Sequence, residues 1–154
     1  MRGRVMAKKI LKQRSTNDCA VACLAMLLDE SYANVRRLVD HYFARTLKKS
    51  FCGMNEDDDK AVAAALGEKA KVWYIRDKNR KAITRKLIGR RAMLCVPQNA
   101  RDFHAVYWDG YKLHDPAKSP GRRGWGQDGT RAFAVAIHAV VLDEECKNCS
   151  VEVC

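Results

Sequence analysis

One uncharged apolar run constrains this chain more than any other stretch: Cys19 to Leu28, which reads CAVACLAMLL. The run is too short to cross a bilayer, and it carries no polar stripe that would face water. It therefore predicts a helix that packs on several faces inside a globular core. Asn17 and Asp18 come directly before it and are typical N-cap residues. We predict a buried helix that begins at Cys19 and is capped by one of these two side chains.

The thiol of Cys19 would lie at the start of this helix, where the partial positive charge of a helix N-terminus favours thiolate over thiol. Gln13 precedes it closely, and we expect the Gln13 side chain to reach back beside the sulfur. A cysteine near the start of an apolar helix is more often a small core residue than a nucleophile. Cys19 therefore needs a partner before a chemical role can be assigned, whereas Cys23, one turn further on, is predicted to be core.

Length and composition define the setting of this thiol. The 154 residues are 47% hydrophobic, which predicts one globular domain, with a basic arm over residues 1–12 and a cysteine-rich tail over 144–154. The start of the sequence carries no secretory signal, and no stretch is long enough to span a membrane. With 7 cysteines and no export signal, we expect reduced thiols and a cytoplasmic location.

The formal net charge of +11 predicts attraction to something acidic. The basic residues are spread along the chain, few aromatic residues lie among them, and no nucleic-acid-binding motif is present. The charge thus leaves three kinds of partner open: an acidic protein, a non-specific nucleic-acid contact through a basic surface, or an anionic membrane surface.

Periodicity predicts three further helices and two strands before the last third of the chain. The helices are expected over Ala33–Ala44, Asn55–Leu66 and Asn79–Ile88, and the strands over Val72–Ile75 and Ala92–Val96. The acidic cluster Asn55–Asp59 is explained by the preference for acidic side chains at a helix start, and a metal site is the alternative.

From Phe103 the pattern changes to sheet. Asp109-Gly110 between two β-rich runs, Phe103–Trp108 and Tyr111–Pro116, is a strong hairpin signal. In a hairpin closed at this dipeptide, His104 and Asp115 are equidistant from the turn and lie near the same open end. This is the spatial relation that a base and its orienting carboxylate require.

His114 is the rival of His104, but it directly precedes Asp115, so its side chain would point to the opposite face of the strand. His41 and His138 read as structural residues. Lys118–Gly129 reads as a glycine-rich loop that borders a groove, and Arg131–Leu142 as one long, mostly apolar strand.

The cysteines of the tail include one CxxC pair, Cys146 and Cys149, which could bind zinc together with Cys154 or a histidine. A single pair without a second pair is weak support for a zinc site. We therefore expect neither a metal nor a cofactor.

Taken in order, several of these residues resemble a known family. Gln13, then Asp18-Cys19, the run Cys23–Met26, His104 in a β-run, and finally Asp115-Pro116 are similar to the motifs of the bacteriocin-processing (double-glycine leader) peptidases. These belong to the papain-like cysteine peptidases, and the resemblance covers roughly residues 12–116. It implies an α+β papain-like fold in which N-terminal helices pack on a C-terminal antiparallel sheet.

The resemblance also implies roles for individual residues. Cys19 matches the nucleophile, His104 the general base, Asp115 the residue that orients the imidazole, and Gln13 the donor to the oxyanion. The implied activity is hydrolysis of a peptide or isopeptide bond in a peptide or protein substrate, through a thioester on Cys19. Two other functions stay open: a non-catalytic module that holds a peptide in the same fold, and a basic adaptor that binds nucleic acid or an acidic protein.

Overall fold

The structure is a computed structural model, and it describes residues 10–15, 17–99, 101–117 and 125–143. Most of the basic arm and the whole cysteine-rich tail with its CxxC pair lie outside these ranges, as does most of the glycine-rich loop. The described elements are, in order, α1 (Cys19–Leu28), α2 (Tyr32–Tyr42), a π-helical turn (Phe43–Leu47), α3 (Glu56–Ala65), β1 (Ala70–Tyr74), α4 (Arg80–Leu87), β2 (Ala92–Pro97), β3 (Phe103–Trp108), β4 (Leu113–His114), α5 (Thr130–Val135) and β5 (His138–Leu142).

The strands form one antiparallel sheet in the order β1-β5-β2-β3-β4. Helices α1, α2 and α3 contribute to the core on one face of this sheet. Helices α4 and α5 contribute to a second core on the other face. The predicted α+β arrangement, with helices packed on an antiparallel sheet, is confirmed.

Helix α1 is the centre of the first core, as its sequence predicts. Every residue from Ala20 to Leu28 is buried, because α2, α3, β2 and β3 all pack against this one helix. The helix ends at Asp29, which adopts a left-handed conformation with φ 59° and pairs with Arg91 at 2.8 Å. No helix in the described ranges is long and apolar enough to cross a membrane.

The start of α3 confirms the helix-start interpretation of the acidic cluster. The Asn55 side chain accepts a hydrogen bond from the Asp58 backbone N–H, and the Asp58 carboxylate accepts one from the Asn55 N–H. This reciprocal pair is a capping box, which satisfies donors that a helix start leaves without partners.

The second helix is shorter than predicted. Helix α2 ends at Tyr42, before the predicted end at Ala44, and the π-helical turn then continues to Leu47. Lys48 closes this turn in a left-handed conformation, with φ 58°.

The predicted two-residue turn at Asp109-Gly110 is wrong. Trp108 pairs with Leu113, so the hairpin closes through a longer loop, and β4 is shorter than the predicted Tyr111–Pro116 strand. The Asp109 carboxylate holds the loop, because it accepts hydrogen bonds from the backbone N–H groups of Tyr111 and Lys112 at 2.8 and 2.7 Å.

This longer loop preserves the predicted relation between His104 and Asp115. The register differs by two residues from that of a two-residue turn, and side chains in a strand return to the same face every two residues. His104 and Asp115 therefore still share a face, as diagonal neighbours.

The predicted single strand over Arg131–Leu142 is also wrong. The segment forms α5 and then β5, with Ala136 and Ile137 between them. Gly129 precedes α5 with φ 79°, and a β-carbon on it would lie 2.9 Å from the rings of both Phe133 and Trp108. At the end of α5, the Arg80 guanidinium donates to the carbonyls of Phe133 and Ala136 at 3.1 and 2.8 Å. These tertiary contacts stabilise a helix in a run whose composition is equally typical of a strand.

Candidate active site

Cys19 is the one residue of α1 that is not buried. Its Sγ accepts a hydrogen bond from the backbone N–H of Ala105 in β3, with 3.4 Å between the nitrogen and the sulfur. The first residue of the helix thus meets the strand that carries His104. Cys23, by contrast, is fully buried, which confirms that it is a core residue.

His104 lies between Cys19 and Asp115. Its Nε2 is 2.7 Å from Asp115 Oδ1, and its side chain lies close enough to Cys19 for the thiol to affect its pKa. Only 8% of the His104 side chain is exposed, and Asp115 is partly buried, so water competes weakly for these contacts. The structure therefore brings together three of the four residues selected from the sequence.

The surroundings of His104 favour its protonated form. Burial alone would lower the pKa of His104, but the hydrogen bonds to Asp115 and Cys19 and their negative charges outweigh it and raise the pKa from 6.5 to about 9. Burial would likewise raise the pKa of Asp115, yet the hydrogen bonds from His104 and the Ala117 N–H lower it. At neutral pH the two side chains form an imidazolium–carboxylate pair.

His114 takes no part in this arrangement. Its Nε2 is 2.8 Å from Asp109 Oδ2, and its ring stacks on Tyr107. The histidine that directly precedes Asp115 therefore stabilises the hairpin loop.

Gln13 reaches the same region through its backbone. Its N–H donates to the carbonyl of Pro116 at 2.8 Å, which joins the lead-in to the Asp115-Pro116 segment. The side-chain Nε2 donates to the Ser15 carbonyl at 2.6 Å, and the buried Oε1 has no partner among the described residues. Within those residues the Gln13 side chain makes no hydrogen bond to Cys19, and one of its two amide hydrogens is used by Ser15.

Asp18 has a different role from the predicted N-cap. It is the N-cap residue of α1 by position, but its side chain makes no capping hydrogen bond. Instead, its carboxylate accepts hydrogen bonds from the N–H groups of Arg14 and Ser15, each at 2.9 Å, and from the Tyr32 hydroxyl. Although burial alone would raise the pKa of Asp18, these hydrogen bonds lower it. The completely buried carboxylate thereby folds the lead-in that carries Gln13 back onto α1.

Replacing Asp18 with alanine is expected to lower the free energy of unfolding by about 3 kcal/mol. A hydrogen bond to a charged group contributes roughly 1.5–3 kcal/mol, and the substitution leaves buried donors without an acceptor. Urea denaturation measures the change. Asp77→Ala is the control, because that side chain is fully exposed and pairs only with Arg80 at 3.4 Å. Equal midpoints for the two variants would contradict the role of Asp18.

The described residues hold no group of three His, Cys, Asp or Glu side chains placed to bind a metal ion. The three side chains Cys19, His104 and Asp115 offer a thiol, an imidazole and a carboxylate. Cys95 on β2 is a second partly exposed thiol, and burial together with the negative charges of Asp59 and Cys19 raises its pKa to about 12.

Solved structures that are similar to this chain include the following two. One is the peptidase domain of Streptococcus ComA, a bi-functional ABC transporter involved in a quorum sensing pathway; it is 18% identical, with a TM-score of 0.59, over 88% of this chain and 98% of that domain. The other is a double glycine motif protease from an AMS/PCAT transporter in complex with the leader peptide. It is 16% identical, with a TM-score of 0.52, over 87% of this chain and 89% of the other.

No protein-family model matches the chain, and a search of curated proteins gave no match. Similarity at these identities bears on the fold and not on the activity. The chain therefore has the α+β papain-like fold of these two peptidase domains.

Proposed function

We propose that this protein is a cysteine peptidase that hydrolyses a peptide or isopeptide bond through a thioester on Cys19. One observation carries the proposal: the His104 imidazole is hydrogen-bonded to the Asp115 carboxylate, and it lies close enough to the Cys19 thiol for that thiol to raise its pKa. These three side chains lie in a fold shared with two peptidase domains. Hydrolysis of an amide requires an ionised nucleophile and a proton carrier, and a carboxylate that orients the proton carrier assists it.

In the proposed first step, the Cys19 thiolate attacks the carbonyl carbon of the scissile bond and forms a tetrahedral intermediate. As this collapses to the thioester, His104 gives its proton to the leaving amine and the carbon–nitrogen bond breaks. Because Nε2 is bonded to Asp115, Nδ1 is the nitrogen that remains for this transfer. Water then attacks the thioester, His104 takes up its proton, and the acid product leaves with Cys19 regenerated. The leaving group is an amine in a peptide and in an isopeptide, so the same steps serve both.

The oxyanion of the tetrahedral intermediates needs donors close to Cys19. The backbone N–H groups of the first turn of α1 have no carbonyl partners within the helix, and the Cys19 N–H is one of them. The second amide hydrogen of Gln13 is the other donor that we propose, since the buried side chain uses its first for Ser15. Asp18 supports this arrangement by holding the lead-in against the helix start.

A proteome-derived peptide library tests the proposed activity. Cleaved peptides are identified by mass spectrometry after incubation with the wild type, with Cys19→Ala and with Cys52→Ala, a matched substitution of an exposed thiol. We expect new peptide ends with the wild type and with Cys52→Ala, and none with Cys19→Ala. Either no cleavage by the wild type or undiminished cleavage by Cys19→Ala would contradict the proposal.

A further inference from the structure

Asp59 is a buried acidic side chain that the proposed reaction does not use. It lies in the first turn of α3 and is 3% exposed, and its Oδ1 has no hydrogen-bond partner among the described residues. Its neighbour Asp58 is occupied in the capping box. Buried polar atoms nearly always have a partner, so the Oδ1 atom of Asp59 is open to a partner that the described residues do not supply.

Asp59 lies near a row of four residues that are paired across neighbouring strands of the sheet. From β3 through β2 and β5 to β1, the row consists of Ala105, Cys95, His138 and Tyr74. Side chains alternate between the two faces of a sheet, and these four lie on the same face as the side chains that pack under α1, α2 and α3. The row therefore faces these helices.

Cys19 and α3 mark the two ends of this row. The Cys19 sulfur lies 3.4 Å from the Ala105 nitrogen, and at the far end the Tyr74 hydroxyl donates to Glu56 Oε2 at 3.1 Å. Asp59 is three residues after Glu56 and therefore lies on the same side of α3. Helix α3 packs against both α1 and β1, and Asp59 is close enough to Cys19 and to Cys95 of the row to interact electrostatically with both.

The electrostatics agree with this placement. Burial raises the pKa of Asp59 well above its ordinary value, and the negative charges of Asp58, Glu56 and Cys19 raise it further. The strongest charge effects on Asp59 thus come from acidic groups. A cation entering here would favour the ionised carboxylate, whereas an added anion would be repelled.

We propose that Asp59 and Glu56 form a subsite beside Cys19 that binds a lysine or arginine side chain of the substrate, within a few residues of the scissile bond. The inference rests on the proposed peptidase function. The substrate cation supplies a partner for Asp59 Oδ1, which has none among the described residues, and the partly exposed Glu56 carboxylate lies at the outer end. The exposed ring of Tyr74 offers an apolar surface to the methylene groups of such a side chain.

The test begins with a peptide library made without cleavage at basic residues, so that lysine and arginine stay internal. We expect these residues to be enriched at one position near the cleaved bond with the wild type. Asp59→Asn should remove most of this enrichment. Asp57→Asn is the matched control, because it removes an equal charge from an exposed position in the same turn and should preserve the preference.

A matched peptide pair then quantifies the effect. Changing the selected lysine to norleucine should lower kcat/KM about tenfold or more with the wild type and hardly at all with Asp59→Asn. Glu56→Gln, which alters a partly exposed side chain, should reduce the discrimination by a smaller factor and covers the case in which Asp59→Asn does not fold. Cleavage that depends on Cys19 but shows no enrichment of lysine or arginine near the cleaved bond would overturn the subsite alone. Absence of any Cys19-dependent cleavage would overturn the proposed function, and the subsite with it.

Discussion

Replacing His104 with alanine is expected to lower Cys19-dependent cleavage by about 10²–10⁴-fold, which is the usual contribution of a positioned general acid and base. The imidazole has two tasks in the proposed reaction: it stabilises the thiolate in the resting enzyme, and it protonates the leaving amine. Alanine performs neither. The measurement is kcat/KM for a peptide that the wild type cleaves, with circular dichroism to verify that the variant is folded.

His114→Ala is the matched control for this substitution. Its imidazole is bonded to Asp109 in the hairpin loop, so we expect the variant to lose some stability and to keep most of its activity. The opposite ranking of the two variants would mean that His114 is the base and that the proposed role of His104 is wrong.

Replacing Asp115 with asparagine is expected to move the alkaline limit of activity to lower pH. The carboxylate is a main reason why the pKa of His104 rises from 6.5 to about 9, and the active form requires a protonated imidazole beside an ionised thiol. Asparagine removes the negative charge, so the pKa should fall back toward its ordinary value. If the pKa of His104 falls by about two, the fraction of protonated His104 falls by roughly 10²-fold at the alkaline end of the pH range and by much less in mild acid.

A pH profile of kcat/KM measures this shift, and NMR titration of the His104 ring measures the pKa itself. Protonation of His104 also affects the stability of the fold. Because folding raises the pKa of His104, the protonated ring stabilises the folded state below about pH 6.5, and this contribution is lost as the pH rises through about 9. Asp109→Asn is the control, because it removes the carboxylate partner of His114 and should leave the activity profile in place. An unchanged alkaline limit in Asp115→Asn would contradict the proposed pairing.

The parts of the fold with strong local signals could be predicted from the sequence. The start of α1 follows from an abrupt change from polar to apolar residues at Cys19. The start of α3 follows from Asn55 with Asp58 three residues later, a spacing at which both capping hydrogen bonds form. In each case the residues that decide the structure lie within one turn of each other.

Where distant contacts decide the structure, the sequence was a poorer guide. The run Arg131–Leu142 is apolar enough for a strand, and its first half is helical because Gly129 lets Trp108 and Phe133 approach closely and Arg80 binds the carbonyls at the helix end. The hairpin loop is longer than Asp109-Gly110 suggests for a similar reason. Gly110 lies against Gly89, and a β-carbon on Gly110 would be 3.1 Å from the carbonyl carbon of Gly89.

The same contrast between local signals and distant contacts applies to the candidate site. Cys19, His104 and Asp115 could be selected because their order in the chain resembles that of a known family and because strand alternation places the last two on one face. The contact between Asp18 and Tyr32 could not, since it joins the start of α1 to the start of α2. Asp59 reads as one of several acids at a helix start. In the part of the chain that the structure describes, it differs from the exposed Asp57 in being buried with an Oδ1 atom that has no hydrogen-bond partner.

The proposed Cys19–His104 pair is tested most directly by the rate at which the Cys19 sulfur reacts with a peptide that carries a thiol-reactive group. Intact-protein and peptide mass spectrometry at neutral pH give this rate for every cysteine of the chain at once. We expect one fast adduct, on Cys19, and slow reaction at the exposed Cys52. We also expect the Cys19 reaction to be slower by about tenfold or more in His104→Ala. Equal rates at Cys19 and Cys52, or a Cys19 rate that His104→Ala leaves unchanged, would contradict an activated thiol at the start of α1.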